Sequence, residues 1–373
     1  MNTQKTHIFA IPVDQLSSGL EGMPSFRSKQ ILQWVYEKGV IDVDAMTNIS
    51  KKDREFLSSK IDFSLPEIST EQKASDGVVK WLFKLSDGNE VETVFIPEGK
   101  RGTLCVSSQV GCTLNCRFCH TGTQGLSRNL LASEIVAQVY LAKAQLDDWH
   151  TDERRKVSNI VFMGMGEPLF NYENVKPAIQ TIMNALGYGG RKITLSTSGM
   201  VDNILNVGED LGVNLAISLH APDDETRTKI MPINKKWPIA ELMHAIKNFK
   251  LKEHRRITWE YVMLDGVNDT PTHAKNLIKL IEGIPSLVNI IPFNEWPGSP
   301  FKCSSQENIN RFASIIKKSG VSVTVRQARG EDILAACGQL RSETSKFNTV
   351  SLDFPSVVAR YGTEKQKVKV EIE

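Results

Sequence analysis

TLCVSS at residues 103–108 opens the stretch that decides the fold. Six further short β-rich runs follow it: NIVFMG (159–164), KITLST (192–197), NLAISLH (214–220), ITWEYVML (257–264), VNIIPF (288–293) and VSVTVR (321–326). Between them lie amphipathic stretches such as SEIVAQVYLAKAQL (133–146), IAELMHAIKNF (239–249) and QENINRFASIIKKSG (306–320). In the last, Ile309, Phe312 and Ile316 share one helical face and Gly320 is the stop signal. Strands that alternate with helices are joined by crossovers, so they run parallel in one sheet. About six such units predict an α/β fold, a partial (βα)6 TIM-like barrel whose reactive groups belong just past the C-terminal ends of the strands.

Upstream, residues 78–96 read as a hairpin around Ser86-Asp87-Gly88-Asn89, with Val79, Trp81 and Phe83 alternating before the turn and Val91, Thr93 and Phe95 after it. The region before about residue 65 has helical character. Phe26, Ile31, Leu32, Val35 and Tyr36 form an apolar stripe, with Pro24 and Ser25 as start signals and Gly39 as the stop. The expected organisation is an N-terminal helical accessory domain with a short linking hairpin (1–97), a core barrel (98–332) and a C-terminal segment (333–373).

With 373 residues, 40% hydrophobic and 24% charged, the chain is expected to be soluble and globular, and collagenous, disordered and disulfide-scaffold classes are excluded. No segment approaches the roughly 18 to 20 apolar residues that span a bilayer. MNTQKTHIFAIPVDQLSSG does not read as a secretory signal, so a cytoplasmic location is expected. A net charge of +2 neither shows nor excludes an RNA partner. The six cysteines are unevenly placed, with Cys105, Cys112, Cys116 and Cys119 close together, a pattern that suggests metal or redox chemistry in a reducing compartment.

Cys112-Thr-Leu-Asn-Cys116-Arg-Phe-Cys119 directly follows the first barrel strand, and three thiolates so spaced can wrap one inorganic centre from a single loop. A structural zinc site needs a fourth ligand, for which His120 is the candidate, although its adjacency to Cys119 makes shared chelation awkward. A four-iron cluster on three cysteines keeps one iron open. The CxxxCxxC spacing, with Phe118 before the last cysteine, resembles the radical S-adenosylmethionine enzymes. That resemblance implies a 4Fe-4S cluster on Cys112, Cys116 and Cys119, with S-adenosylmethionine cleaved to a 5′-deoxyadenosyl radical. Gly164-Met165-Gly166-Glu167-Pro168 is either a Gly-rich turn or the family's cofactor-binding turn. The resemblance implies cofactor contacts at Gly166, Glu167, Ser196, Ser218, Leu219, His220 and Asn294, most of them small polar groups at the rim.

The likeness narrows further. ETVFIPE (92–98), TLCVSSQVGC (103–112), MGMGEPL (163–169), TLSTSG (194–199), AISLHAP (216–222), MPINK (231–235), EYVMLDGVND (260–269) and RGEDILAACGQL (329–340) are similar, in order, to the dual-specificity adenine-C2 methyltransferases of ribosomal and transfer RNA. This resemblance implies action on adenosine 2503 of 23S rRNA and adenosine 37 of tRNA. It also implies two S-adenosylmethionine per turnover: one methylates Cys337, and a second yields the radical that activates the S-methyl group for addition to adenine C2. Cys105 then forms a transient disulfide with Cys337 to release the product, and Glu92 accepts the C2 proton. A flavodoxin or ferredoxin as electron donor, a monomer and no membrane association belong to the same picture. From the residues alone, Glu92 reads as an exposed strand carboxylate, Cys105 as a packed strand cysteine and Cys337 as a small helical core residue. Cys303 has no matching role.

Candidate phosphate contacts are Arg27, Lys29, Lys51, Lys52, Arg54, Lys235, Lys236, His254, Arg255, Arg256, Arg326 and Arg329, although charge runs of this size usually lie on solvated faces. The resemblance implies that the N-terminal domain assists RNA binding. Three alternatives stand beside this reading. They are an adenine-C8 rRNA methyltransferase of the same mechanism, a radical activase acting on protein, and a zinc-stabilised RNA-binding protein without catalysis.

Overall fold

The computed structural model describes residues 5–20, 23–149 and 155–340. Ten strands form one sheet in strict chain order: β1 (Glu67–Lys73), β2 (Val79–Lys84), β3 (Glu90–Glu98), β4 (Arg101–Cys105), β5 (Asn159–Phe162), β6 (Ile193–Thr197), β7 (Asn214–Ser218), β8 (Ile257–Met263), β9 (Ser286–Pro292) and β10 (Ser322–Val325). β1 to β4 pair antiparallel, and β4 to β10 are parallel. All seven runs expected as barrel strands are present. Sequential order with right-handed crossovers puts every connecting helix on the same face, so the parallel part is the wall of a barrel. Among the described residues it does not close, because β10 is one edge of the sheet and β1 the other.

The longer helices before the sheet are α1 (Phe26–Leu32) and α2 (Lys51–Lys60). Those of the barrel are α3 (Ala132–Gln145), α4 (Tyr172–Asn184), α5 (Val201–Asp210), α6 (Asp224–Ile230), α7 (Ile239–Lys247), α8 (Pro271–Leu280) and α9 (Gln306–Lys318). α3 packs on α4, α5 on α7 and α8 on α9. α9 buries Ile309, Phe312 and Ile316, the face its spacing predicts. Most of β8 is buried on both faces, as a parallel strand between helices and a filled interior must be.

The hairpin forms as expected. Trp81 lies opposite Thr93 and Phe83 opposite Val91, while Gly88 turns the chain at φ +83°. β3 continues into β4 through pairs such as Val94 with Cys105, so the sheet runs unbroken across residues 97 and 98.

In the N-terminal region Ile31, Val35 and Tyr36 are buried as the stripe predicts, whereas Phe26 is 53% exposed. Phe26 opens α1, before a full turn has brought its face over the core. The helix continues as a π-helical turn over Gln33–Glu37 and stops at Gly39. No β-carbon fits there, because φ is +67° and the Trp149 ring packs directly against the site. Among the described residues, no helix is long and apolar enough to cross a membrane. Residues 341–373 of the expected C-terminal segment lie outside the described residues.

Candidate active site

A short antiparallel ribbon, Gln109–Gly111 with Leu126–Asn129, brackets the cysteine loop. Gly111 (φ +77°) lets the strands meet there, since a β-carbon would fall onto the Gly125 carbonyl. The loop is pinned at two further points. Gln109 Oε1 accepts from the amides of Thr113 (3.1 Å) and Glu167 (3.0 Å), and the Arg117 amide donates to the Ile230 carbonyl at the end of α6 (2.9 Å).

Cys112, Cys116 and Cys119 all line one cavity of about 970 Å³, its open mouth included, at the C-terminal ends of the parallel strands. Burial, followed by the charge of neighbouring cysteines, pushes the Cys112 thiol well up and Cys116 up to about 12. Burial also raises Cys119. Thiols so placed ionise when a metal supplies the opposing charge, and thiolate is the donor that iron-sulfur clusters take. Among the described residues, no three His, Cys, Asp or Glu side chains converge as ligands of a single metal ion. A four-iron cluster carries sulfide between its irons and needs thiols around a space, which these three provide. His120 is turned to another purpose: its ring stacks on Trp296 (4.7 Å, 4°) and its Nδ1 lies 3.3 Å from the Gln339 carbonyl, off the cavity wall.

The glycine turn after β5 forms the next part of the wall. Gly166 has φ +101°, and a β-carbon would strike Gln109. Glu167 is buried with its carboxylate fixed at both oxygens, by the Ser198 amide (2.8 Å) and the Leu169 amide (3.1 Å). Burial raises its pKa and these bonds oppose the rise. Ser196 is next to last in β6, Ser218 ends β7, and Asn294 follows β9, all on the same cavity. His220 sits at φ +58°, edge-on to Phe118 (4.7 Å). Its Nδ1 accepts from the Val262 amide (3.0 Å), so the ring is neutral. Burial, reinforced by the Arg227 charge, holds its pKa down to about 3. Leu219 differs from its neighbours: it is fully buried, its amide donates to the Glu260 carbonyl (3.2 Å), and it does not reach the cavity.

Residues 329–340 cross from the β1–β2 turn to the cysteine loop as a strap. Arg329 pairs with Asp76 (2.7 Å), the Ser75 amide donates to Asp332 (2.9 Å), and the Lys80 Nζ donates to the Leu334 carbonyl (3.4 Å). At the other end the His120 amide donates to the Gly338 carbonyl (2.7 Å) and Thr121 Oγ1 to that of Leu340 (2.6 Å). The strap sets Cys337 on the cavity wall with the three cysteines of the loop. Cys337 lies in a turn, not in a helix.

Cys105, the last residue of β4, is buried and lies off the cavity wall. Burial and then the charge on Cys337 push its thiol up to about 12, while Arg326 opposes the rise. The two thiols thus lie in each other's field, with the Arg326 guanidinium beside both.

Glu92 is not the exposed carboxylate that alternation suggests. It is 4% exposed and paired with Lys80 at 2.9 Å, because β3 is an interior strand covered on both faces. Its carbonyl accepts from Ser107 Oγ (2.6 Å), two residues past Cys105, and Glu92 itself does not line the cavity. Two wall residues escape sequence reasoning. Glu260, bonded by Asn289 (2.7 Å), shows only as an acid inside an apolar strand run, and Ser198 only as one more serine in TLSTSG. Arg326 also lines the cavity, and several other candidate phosphate contacts serve the fold instead. Arg27 pairs with Asp53 (2.9 Å), Arg255 reaches Asn214 (3.2 Å) and Arg329 is bound to Asp76. Lys51, Lys52 and Lys235 remain on the exposed surface. Cys303, bridged to Leu264, is outside the site.

Comparison with known proteins agrees with this geometry. The model of the radical SAM superfamily matches residues 106–278, and that of the ribosomal RNA large subunit methyltransferase N-terminal domain matches residues 19–62. The dual-specificity RNA methyltransferase RlmN of Paracoccus denitrificans is 52% identical over 334 residues, covering 87% of this chain and 85% of its own. That of Rhodospirillum rubrum is 53% identical over 328 residues, covering 87% and 77%. The crystal structure of a radical SAM methyltransferase from Sphaerobacter thermophilus superimposes with a TM-score of 0.84 at 41% identity, over 90% of this chain and 99% of that one. With the cysteine loop, the glycine turn and the cysteine-bearing strap all in place on a radical SAM barrel, the chain belongs to the RlmN family of dual-specificity RNA methyltransferases.

Proposed function

We propose that this protein methylates C2 of adenine in RNA, at adenosine 2503 of 23S rRNA and adenosine 37 of tRNA. One observation carries the proposal: the strap brings Cys337 onto the wall of the cavity that the three loop cysteines share, within the field of Cys105. A cluster enzyme acting on a distant protein substrate needs no such pair of cysteines. Adenine C2 is electron-poor and does not attack a sulfonium methyl group, so a carbon radical must be delivered to it.

Cys112, Cys116 and Cys119 would hold the 4Fe-4S cluster, which when bound supplies the electron that cleaves S-adenosylmethionine. Gly166, Glu167, Ser196, Ser218, His220 and Asn294, which line the cavity, orient that molecule in this reading, with the buried Leu219 behind them. Cys337 accepts the methyl group on sulfur and carries it to the base. Once the base radical has given up one electron and its C2 proton, the Cys105 thiolate attacks the Cys337 sulfur: the S–S bond forms, the C–S bond breaks, and the released carbon takes a proton to complete the methyl group on adenine. Glu92, one strand from Cys105, takes up the C2 proton once its contact with Lys80 rearranges. The disulfide is transient, as in a reducing cytoplasm it must be.

An enzyme that reaches C2 within folded RNA must draw the nucleotide out of its stack. The N-terminal helical region, with exposed Phe26, Lys51 and Lys52, is assigned to backbone contact. The assignment of residues 1–97, 98–332 and 333–373 to RNA binding, barrel and methyl carrier belongs to the same reading. A flavodoxin or ferredoxin serves as electron donor to a monomeric enzyme. The test is a nuclease digest of rRNA and tRNA fragments after anaerobic reaction. 2-Methyladenosine, lost in Cys337→Ala, supports the proposal, and 8-methyladenosine or no product from an iron-loaded enzyme overturns it.

A further inference from the structure

Arg227, on α6, is fully buried, and among the described residues its guanidinium makes four hydrogen bonds, all to neutral oxygens. Nη2 donates to the carbonyls of Ser198 (2.6 Å) and Ser218 (3.3 Å), Nε to that of Leu219 (3.1 Å), and Nη1 to Asn234 Oδ1 (2.8 Å). The guanidinium therefore clamps the ends of β6 and β7. A buried charge so placed is costly unless an anion lies near. Asp224 is close but committed elsewhere, its Oδ1 accepting from the Ile239 amide and from Asn234 (both 2.9 Å).

The geometry directs the charge at the cysteine loop. Ser198, whose carbonyl Arg227 holds, also bonds the Cys116 thiol through its side chain and Glu167 through its amide. The residue after Cys116 is tied to the last carbonyl of Arg227's own helix.

We propose that Arg227 is a positioning residue for the cluster: it fixes the Cys116 edge of the site through Ser198 and α6, and its charge raises the cluster's reduction potential. This rests on the reading that the three loop cysteines hold an iron-sulfur cluster. Reduction adds one electron and makes the centre more negative, so a fixed cation nearby favours the reduced form. Loss of that charge is expected to shift the reduction equilibrium by a factor of about ten. For one electron that is about 59 mV.

The test uses the reconstituted holoenzyme and two variants with opposite defects. Arg227→Gln keeps hydrogen-bonding capacity and loses the charge, and Arg227→Lys keeps the charge and loses the fork. The midpoint potential is read by EPR during dithionite titration, which reports on the loaded fraction whatever the occupancy. Arg227→Gln is expected to make reduction at least about tenfold less favourable, while Arg227→Lys stays within about threefold of wild type. Arg227→Met is the second neutral variant, with the same shift expected. Unchanged potentials in the neutral variants, or a lysine variant shifted as far as they are, overturn the inference. Wild-type protein that takes up no iron-sulfur cluster would instead overturn the reading on which it rests.

Discussion

The Cys105 thiol offers a quantitative handle on product release. Its pKa is pushed up from an ordinary 9.0 to about 12, by burial first and by the Cys337 charge second. Only thiolate attacks sulfur. In the adduct Cys337 is alkylated and uncharged, so burial alone holds the thiol up; at the limit of about 12 it is ionised at pH 8 to about one part in ten thousand, against about one in ten at the ordinary value, and attack is slowed by up to about a thousandfold through protonation alone. The perturbation is a pH jump. The covalent adduct between Cys337 and RNA is allowed to accumulate at pH 6.5 and then moved to 7.5, 8.5 or 9.5, and its decay is followed by rapid quench and denaturing gel. Release should accelerate about tenfold per pH unit across the whole range. A flat profile, or a plateau below pH 9, would refute the idea that buried Cys105 is the attacking group. The same shift has a stability counterpart of known sign. The folded protein keeps this proton where the unfolded chain, with a thiol near pH 8.5, gives it up. Stability therefore falls as pH rises above about 8.5, by up to about 1.4 kcal/mol per unit, and Cys105→Ser should remove that contribution.

Further expectations follow from other contacts. Cys112→Ala should take iron and sulfide content to a small fraction of wild type on elemental analysis and abolish 5′-deoxyadenosine formation. Glu167→Ala removes two bonds to a buried carboxylate at the cavity wall and should weaken S-adenosylmethionine binding by about tenfold or more, measured by equilibrium dialysis of the loaded protein. Asp76→Ala removes the anchor that Arg329 and the Gly330 amide share. It should cost about 1 kcal/mol or less in global stability but speed hydrogen exchange across residues 329–340, and unchanged exchange there would contradict the strap assignment. Gly166→Ala places a β-carbon against Gln109 at positive φ and should lower Tm and cluster loading together.

The barrel was legible in the sequence because each of its strands is a short apolar run bounded by turn residues, and α9 because Ile309, Phe312 and Ile316 recur at helical spacing. Periodicity puts Phe26 on the buried stripe because it does not say where a helix begins to face the core. Glu92 was misjudged for a related reason. Alternation of Val91, Thr93 and Phe95 toward one side implies that Glu92 faces water, which holds only for a strand with an open face, and β3 has none. The cysteine loop declares itself by spacing, since Cys112, Cys116 and Cys119 lie within eight residues of one another. Cys337 does not, because its place on the wall depends on the strap's anchors at Ser75, Asp76, His120 and Thr121, far away in sequence. Arg326 and Arg227 look like ordinary surface charges until the fold buries one and aims the other at two thiols.

The central claim is that one cavity joins a radical-generating cluster to a cysteine that carries the methyl group to RNA. It is tested most directly by reacting anaerobically reconstituted enzyme with S-adenosylmethionine bearing a deuterated methyl group and an RNA fragment, with iron, sulfide and zinc determined on the same sample. Expected are about four iron and four sulfide per chain, 5′-deoxyadenosine, and 2-methyladenosine that has lost one of the three methyl deuteriums, since hydrogen is abstracted from the S-methyl group before the carbon joins the base. Stoichiometric zinc without cofactor cleavage, or a product retaining an intact transferred methyl group, would contradict it.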